Sequence, residues 1–291
     1  MFEGVYPAIV TPFLRDTRSS LDIAGLKSNI EFLISQGVHG IVPCGSTGES
    51  ATLSFHEHEE VIKVAIETSN SRVPILAGTG SNNTEEALKL TKGAYDLGAD
   101  GVLIISPYYN KPNESGLIKH YSKIASVGLP VVVYNVPGRT GQNLIPDTVS
   151  KLADVSGIVG IKEASGDIGQ ISRIIEITQD RDFSVLSGDD NITLPILALG
   201  GKGVISVAAN VEPAKMVAMY NAMKSADYET ARKIHYELSP LFRSMFIDTN
   251  PIPVKKAVEL RGQAGGPVRL PLDELDEKKT KSLSEVLSRY D

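Results

Sequence analysis

In residues 157–167, GIVGIKEASGD, the β-forming Ile158, Val159 and Ile161 surround Gly160 and read as a buried strand. Lys162 closes that strand, ahead of Glu163 and the turn residues Ser165, Gly166 and Asp167. An ammonium at the rim of an apolar layer must pair with a carboxylate, reach water along its stem, or give up its proton. Pairing with a neighbour such as Glu163, or snorkelling, is the ordinary fate of a strand-end lysine. The chemical alternative is a desolvated amine of lowered pKa that attacks a carbonyl and forms a Schiff base. Tyr134, in the preceding apolar run PVVVYNVPG (130–138), would neighbour it, and a phenol there could shuttle the protons of imine formation. A buried tyrosine that merely finds a hydrogen bond is the plainer reading.

Other candidates lie at similar places. CGSTGES (44–50) resembles an anion nest, with small residues exposing backbone N–H groups and hydroxyls at Ser46 and Thr47. It lacks the lysine and spacing of a Walker loop, and GTGSNN (78–83) carries Asn83 where a dinucleotide fingerprint needs its last glycine. Arg139 in NVPGRT is either a surface salt-bridge partner or a bidentate clamp for a substrate carboxylate. Metal binding is poorly supported. His56 and His58 lie two apart on an expected helix and point to different faces, and His39, His120 and His235 are isolated.

The elements that must hold these residues recur regularly. Short β-rich runs at 5–13, 37–50, 73–80, 101–110, 130–138, 157–164, 183–190 and 203–210 alternate with amphipathic stretches such as LKSNIEFLISQ and EEALKLTKGAYDLG. Ser54 and Glu57 form a capping box at the start of one helix. Eight alternating units predict a closed (β/α)8 TIM barrel, with an open doubly wound sheet as the alternative. The active site of such a barrel lies at the C-terminal ends of its strands. That rule gathers Ser46, Thr47, Tyr108, Tyr109, Tyr134, Arg139, Lys162, Gly188 and Ile205. After residue 210 only helical patterns follow, with the proline-rich TNPIPVKKAVELRG (249–262) entering one of them. The expected division is a catalytic barrel over 1–224 and a C-terminal helical extension over 225–291.

Composition narrows the class. The 291 residues are 42% hydrophobic and carry a net charge of −6, which gives no reason to expect nucleic acid or an anionic membrane as partner. A single cysteine, Cys44, excludes an internal disulfide and suits a reducing compartment. No signal peptide or membrane-length apolar run is apparent, so a soluble, cytoplasmic protein is expected.

Taken together, GSTGES, SPYYNKP, YNVPGRT, GIKEASGD, LSGDD and GVISVAAN resemble, in order and over nearly the whole chain, the dihydrodipicolinate synthase family of pyruvate-dependent class I aldolases. That family also contains N-acetylneuraminate lyase. The resemblance implies a Schiff base between Lys162 and pyruvate, with no other cofactor and no metal. It further implies condensation with L-aspartate 4-semialdehyde on the diaminopimelate route to lysine. By position Tyr134 is the proton donor and acceptor, Ser46 and Tyr109 complete a hydroxyl relay, Thr47 binds pyruvate's carboxylate, and Gly188 and Ile205 meet the substrate. Ser46 departs from the threonine often found there but keeps the hydroxyl. A homotetramer built as a dimer of dimers is implied, with Tyr109 reaching into a neighbour's relay. So is an L-lysine effector site at Ser50, Ala51, His58, Asn82, Glu86 and Tyr108, weakened because Phe55 stands where a histidine is expected. The competing readings are a sialic acid lyase or 2-keto-3-deoxysugar acid aldolase, which would share Lys162 and Tyr134, and a non-catalytic pyruvate-binding barrel.

Overall fold

The computed structural model describes residues 2–290. Seven parallel strands, β1 (Gly4–Pro7), β2 (Leu76–Gly78), β3 (Gly101–Ile105), β4 (Val131–Asn135), β5 (Ile158–Glu163), β6 (Ser184–Ser187) and β7 (Gly203–Ser206), form one sheet in the order β1-β7-β6-β5-β4-β3-β2. The two edge strands, β1 and β2, are joined by the segment 39–43. On one side the amides of His39 and Val42 donate to the carbonyls of Val5 and Pro7. On the other, Leu76 and Gly78 donate to Ile41 and Pro43. The curled sheet is therefore that of a TIM-type barrel, with this segment in the eighth place. It does not form a regular strand, and only Ala8↔Val42 and Ile41↔Ile75 pair as parallel bridges. The reason is local. Pro43 has no N–H for the ladder, and Cys44 turns the chain at φ 56°.

Strand residues alternate between two cores, as the period of two requires. Tyr6, Val42, Leu76, Leu103, Val132, Tyr134, Leu186 and Ile205 fill the interior cluster. Val102, Ile104, Val131, Val133, Ile161 and Val185 join the layer that includes the helices. Those are α1 (Ile23–Ser35), α2 (Phe55–Ser69), α3 (Thr84–Leu97), α4 (Glu114–Ala125), the short α5 (Pro137–Thr140), α6 (Pro146–Ala153), α7 (Ile168–Thr178), α8 (Thr193–Ala198) and α9 (Pro213–Lys224). The capping box is present at α2: Glu57 N–H donates to Ser54 Oγ, and Ser54 N–H to the Glu57 carboxylate.

Three helices complete the chain: α10 (Tyr228–Ser244), α11 (Ile252–Leu260), which opens on prolines, and α12 (Glu277–Leu287). Leu238, Leu241, Phe242, Val254, Ala257, Val258 and Leu283 share one buried cluster with Val5 and Val204 of the sheet and Met216 and Tyr220 of α9. This packing brings the start of α11 to the mouth of the barrel.

Candidate active site

Tyr134 and Lys162 are opposite residues of the paired strands β4 and β5, so both side chains leave the same face. The ammonium nitrogen of Lys162 lies 4.2 Å from the centroid of the Tyr134 ring. Lys162 is 6% exposed and makes no ion pair or hydrogen bond among the described residues. Burial pulls its pKa down to about 8, against the opposing pull of the Asp189 and Asp190 carboxylates. At pH 7 roughly a tenth of the amine is then neutral, some 300-fold more than for an ordinary lysine. Burial likewise pushes the Tyr134 phenol up, so it stays protonated and able to donate.

The ordinary partner, Glu163, is turned away. One residue further along β5, it points to the opposite face and is fully buried. There its carboxylate accepts from Asn135 Nδ2 at 3.0 and 3.2 Å and from the Ser165 amide at 2.8 Å. Burial pushes its pKa up in spite of those donors. Gly188 makes the room Lys162 occupies. A Cβ there would stand 3.1 Å from Lys162 Cε and 2.6 Å from Ala164 Cβ, while its amide is held by Glu163 O at 2.8 Å. Ile205, wholly buried, belongs to the same interior cluster as Tyr134.

Beside Tyr134 opens a cavity of about 480 Å³ whose wall also includes Ser46, Arg139 and Asn250, while Lys162, Thr47, Gly188 and Ile205 lie behind that wall rather than in it. The turn 45–50 closes on itself: Gly48 and Ser50 N–H donate to Gly45 O, and Glu49 N–H to Ser46 O. The N–H groups of Ser46 and Thr47 donate to nothing among the described residues, which leaves two adjacent donors of the kind an anion nest needs. Thr47 Oγ1 accepts from Asn250 Nδ2 at 3.0 Å, and Arg139 Nη2 donates to the Asn250 carbonyl at 2.9 Å. Asn250 thus ties a hydroxyl from the 45–50 turn to a guanidinium on the short helix α5.

Not every expected residue arrives here. Tyr109 is 89% exposed, outside the cavity wall, with its backbone at φ 73°. Ser46 and the Tyr134 hydroxyl share the cavity wall, and no hydrogen bond joins them. Of the six effector positions, Ser50, Ala51, His58, Glu86 and Tyr108 line the same cavity. Asn82 stands outside the wall and donates to the Tyr108 carbonyl at 3.1 Å. His58 is buried, with Nε2 2.7 Å from Gly78 O, and the Phe55 ring carries the Lys89 ammonium 4.3 Å from its centroid. No group of three or more His, Cys, Asp or Glu side chains able to hold a metal occurs among the described residues.

Several participants escaped the sequence reading. Asn250, Glu49 and Lys255 are placed by contacts more than 200 residues apart in sequence, which no local pattern signals. The motif LSGDD pointed to Gly188, yet its two aspartates matter as well. Asp189 acts electrostatically on Lys162. Asp190 Oδ2 accepts from the Val207 and Ala208 amides at 3.1 and 2.8 Å, pinning the turn after β7.

A curled parallel sheet ringed by helices, with an unpaired buried amine under a tyrosine at a strand end, is the arrangement of a barrel enzyme that works on carbonyl compounds. The chain belongs to the Dihydrodipicolinate synthetase family, whose sequence model matches residues 1–290. A 4-hydroxy-tetrahydrodipicolinate synthase of Methanoculleus marisnigri is 70% identical over 290 residues, covering 100% of both chains. That of Methanospirillum hungatei is 66% identical over 291 residues, again covering 100% of each. Among solved structures, a dihydrodipicolinate synthase superposes with a TM-score of 0.95 at 52% identity over 99% of both chains. A chloride-inhibited dihydrodipicolinate synthase from Acinetobacter baumannii, complexed with pyruvate, gives 0.95 at 42% identity over 99% of both.

Proposed function

We infer that the protein is a Schiff-base-forming lyase that condenses pyruvate with L-aspartate 4-semialdehyde, the 4-hydroxy-tetrahydrodipicolinate synthase reaction of the diaminopimelate route to lysine. The observation that carries this is the unpaired, buried Lys162 against the Tyr134 ring, in a chain 70% identical to a relative of that name. The neutral amine of Lys162 attacks the ketone carbon of pyruvate, and the carbinolamine loses water to give the imine. Loss of a methyl proton yields the enamine, whose carbon attacks the aldehyde of the second substrate. That substrate's own amine then displaces Lys162 from the imine carbon, closing the ring and freeing the enzyme.

In this reading Tyr134 donates and accepts the protons of those steps, with Ser46 and the Tyr109 of a neighbouring subunit completing the relay. Thr47 and its adjacent free N–H groups hold pyruvate's carboxylate, and Gly188 and Ile205 shape its seat. Arg139 receives the carboxylate of the semialdehyde, a planar match that a polyhydroxylated sugar-acid tail would not offer. The enzyme works as a cytoplasmic homotetramer, with neither metal nor cofactor beyond the Schiff base. L-Lysine occupies the outer part of the cavity, between Glu86, His58 and Tyr108, as a weak inhibitor because Phe55 cannot donate a hydrogen bond.

Incubation with pyruvate and borohydride is expected to leave a reduced pyruvyl group on Lys162, located by mass spectrometry. Labelling of Lys202 or Lys255 instead would overturn the assignment. Turnover of sugar acids in preference to the semialdehyde would favour the sialic acid lyase reading.

A further inference from the structure

Glu49 and Lys255 form an ion pair at 2.6 Å with side chains 1% and 2% exposed. Nothing in the chemistry just described uses it. Two buried charges rarely stabilise a fold more than apolar side chains of the same size would, because their desolvation offsets their attraction. What such a pair supplies is direction. Glu49 sits in the left-handed region at φ 54°, a strained place for a side-chain-bearing residue. Its carboxylate also accepts from the Arg269 amide at 2.9 Å, while Lys255 Nζ donates to Pro267 O at 2.6 Å and lies 4.2 Å over the Phe13 ring. Burial pulls the Lys255 ammonium below its ordinary value, and Glu49 opposes that shift.

The pair has a parallel partner. Two residues before Glu49, Thr47 accepts from Asn250, five residues before Lys255. These are two rungs between the same turn and the same helix start, since Lys255 N–H also donates to Pro251 O in the first turn of α11. The upper rung continues to Arg139 through the Asn250 carbonyl. We propose that Glu49 and Lys255 are positioning residues: their buried ion pair locks the 45–50 turn to α11 and so sets the distance between Thr47 and Arg139. This rests on the reading that those two residues hold the carboxylates of the two substrates.

A merely structural pair would, when removed, lower stability or the active fraction and leave substrate affinities alone. A positioning pair moves the KM values, since displacing a binding group by a fraction of an ångström weakens every contact it makes. The double variant Glu49→Gln with Lys255→Met keeps side-chain volume and leaves no unpaired charge. It is expected to keep its thermal midpoint within a few degrees and to label fully at Lys162 under saturating pyruvate and borohydride. Its KM for both substrates is expected to rise by about tenfold or more. Glu49→Asp alone keeps the charge pair but shortens this rung by one methylene and is expected to show a smaller rise; it is read on the same axes should the double variant fail to fold. Unchanged KM values in a variant that folds overturn the positioning role while the wild-type adduct stands. Absence of the adduct in wild type overturns the functional reading and this proposal together.

Discussion

On the proposed reading, Lys162 costs the fold stability in order to be reactive. In the unfolded chain its amine holds a proton up to about pH 10.5, whereas in the barrel it holds one only up to about 8. Between those values the unfolded state binds more protons, so this residue's contribution makes stability rise with pH across the window. Below pH 8 the native state carries a buried, unpaired charge, and the shift corresponds to about 3 kcal/mol of destabilisation. Lys162→Met, similar in volume and uncharged, is therefore expected to abolish the pyruvate adduct and yet raise stability at pH 7 by about that amount in denaturant titrations. The gain should fade as the pH climbs toward 10, and a variant less stable than wild type at pH 7 would contradict the argument. In the wild type, adduct formation should rise by about tenfold per pH unit below pH 8 and level off above it. At this scale much of the candidate site's placement was legible. Lys162, Tyr134, Ser46, Thr47 and Arg139 stand at or just past strand ends, where pattern and barrel geometry coincide. Glu49 and Lys255 were not, because each reads alone as an ordinary surface charge until folding brings them together.

Helices and strands were legible to different degrees, for reasons that local physics supplies. The capping box named α2 because Ser54 and Glu57 satisfy each other's backbone groups within one turn, with no help from the rest of the fold. The pattern YETARKIHYELSPLFRSMF survived Pro240, which sits inside α10. That proline withholds its bond from the carbonyl of Tyr236, a residue 71% exposed, where water can serve instead. The run 37–50 looked like the longest strand and proved the least regular, since alternation says nothing about whether the ladder tolerates Pro43 and the turn at Cys44. The α2 cap permits a clean separation of element from site. Ser54→Ala removes one acceptor at an exposed helix start and should lower stability by about 1 kcal/mol. The borohydride-trapped yield of adduct should be unchanged, because Ser54 does not line the cavity. A loss of adduct with little loss of stability would mean that the start of α2 reaches further into the site than its contacts indicate.

The whole molecule poses its own question at Tyr109. A tyrosine at φ 73° with 89% of its surface exposed contributes little to the fold of one chain, and aromatic side chains are enriched where protein surfaces meet. Its neighbour Tyr108 lines the cavity, and Asn82 holds the Tyr108 carbonyl, so the loop is anchored next to the site while Tyr109 projects from it. Such geometry suits a residue that serves a second copy of the chain, and neither the Ser46 nor the Tyr134 hydroxyl is hydrogen-bonded to another hydroxyl among the described residues. If Tyr109 acts in trans, a Tyr109→Phe subunit is defective because it fails its neighbour, and a Lys162→Ala subunit is defective in itself. Unfolding and refolding the two inactive variants together should then produce assemblies in which an intact Lys162 faces an intact Tyr109. In a paired arrangement with random mixing, half of the dimers are mixed, and each mixed dimer holds one complete site of two. About a quarter of wild-type activity is therefore expected, with none in either variant refolded alone. Native mass spectrometry would verify that hybrids formed. Hybrids without activity would place Tyr109 in the service of its own chain, and a protein that is monomeric and fully active in solution would remove the need for a neighbour altogether.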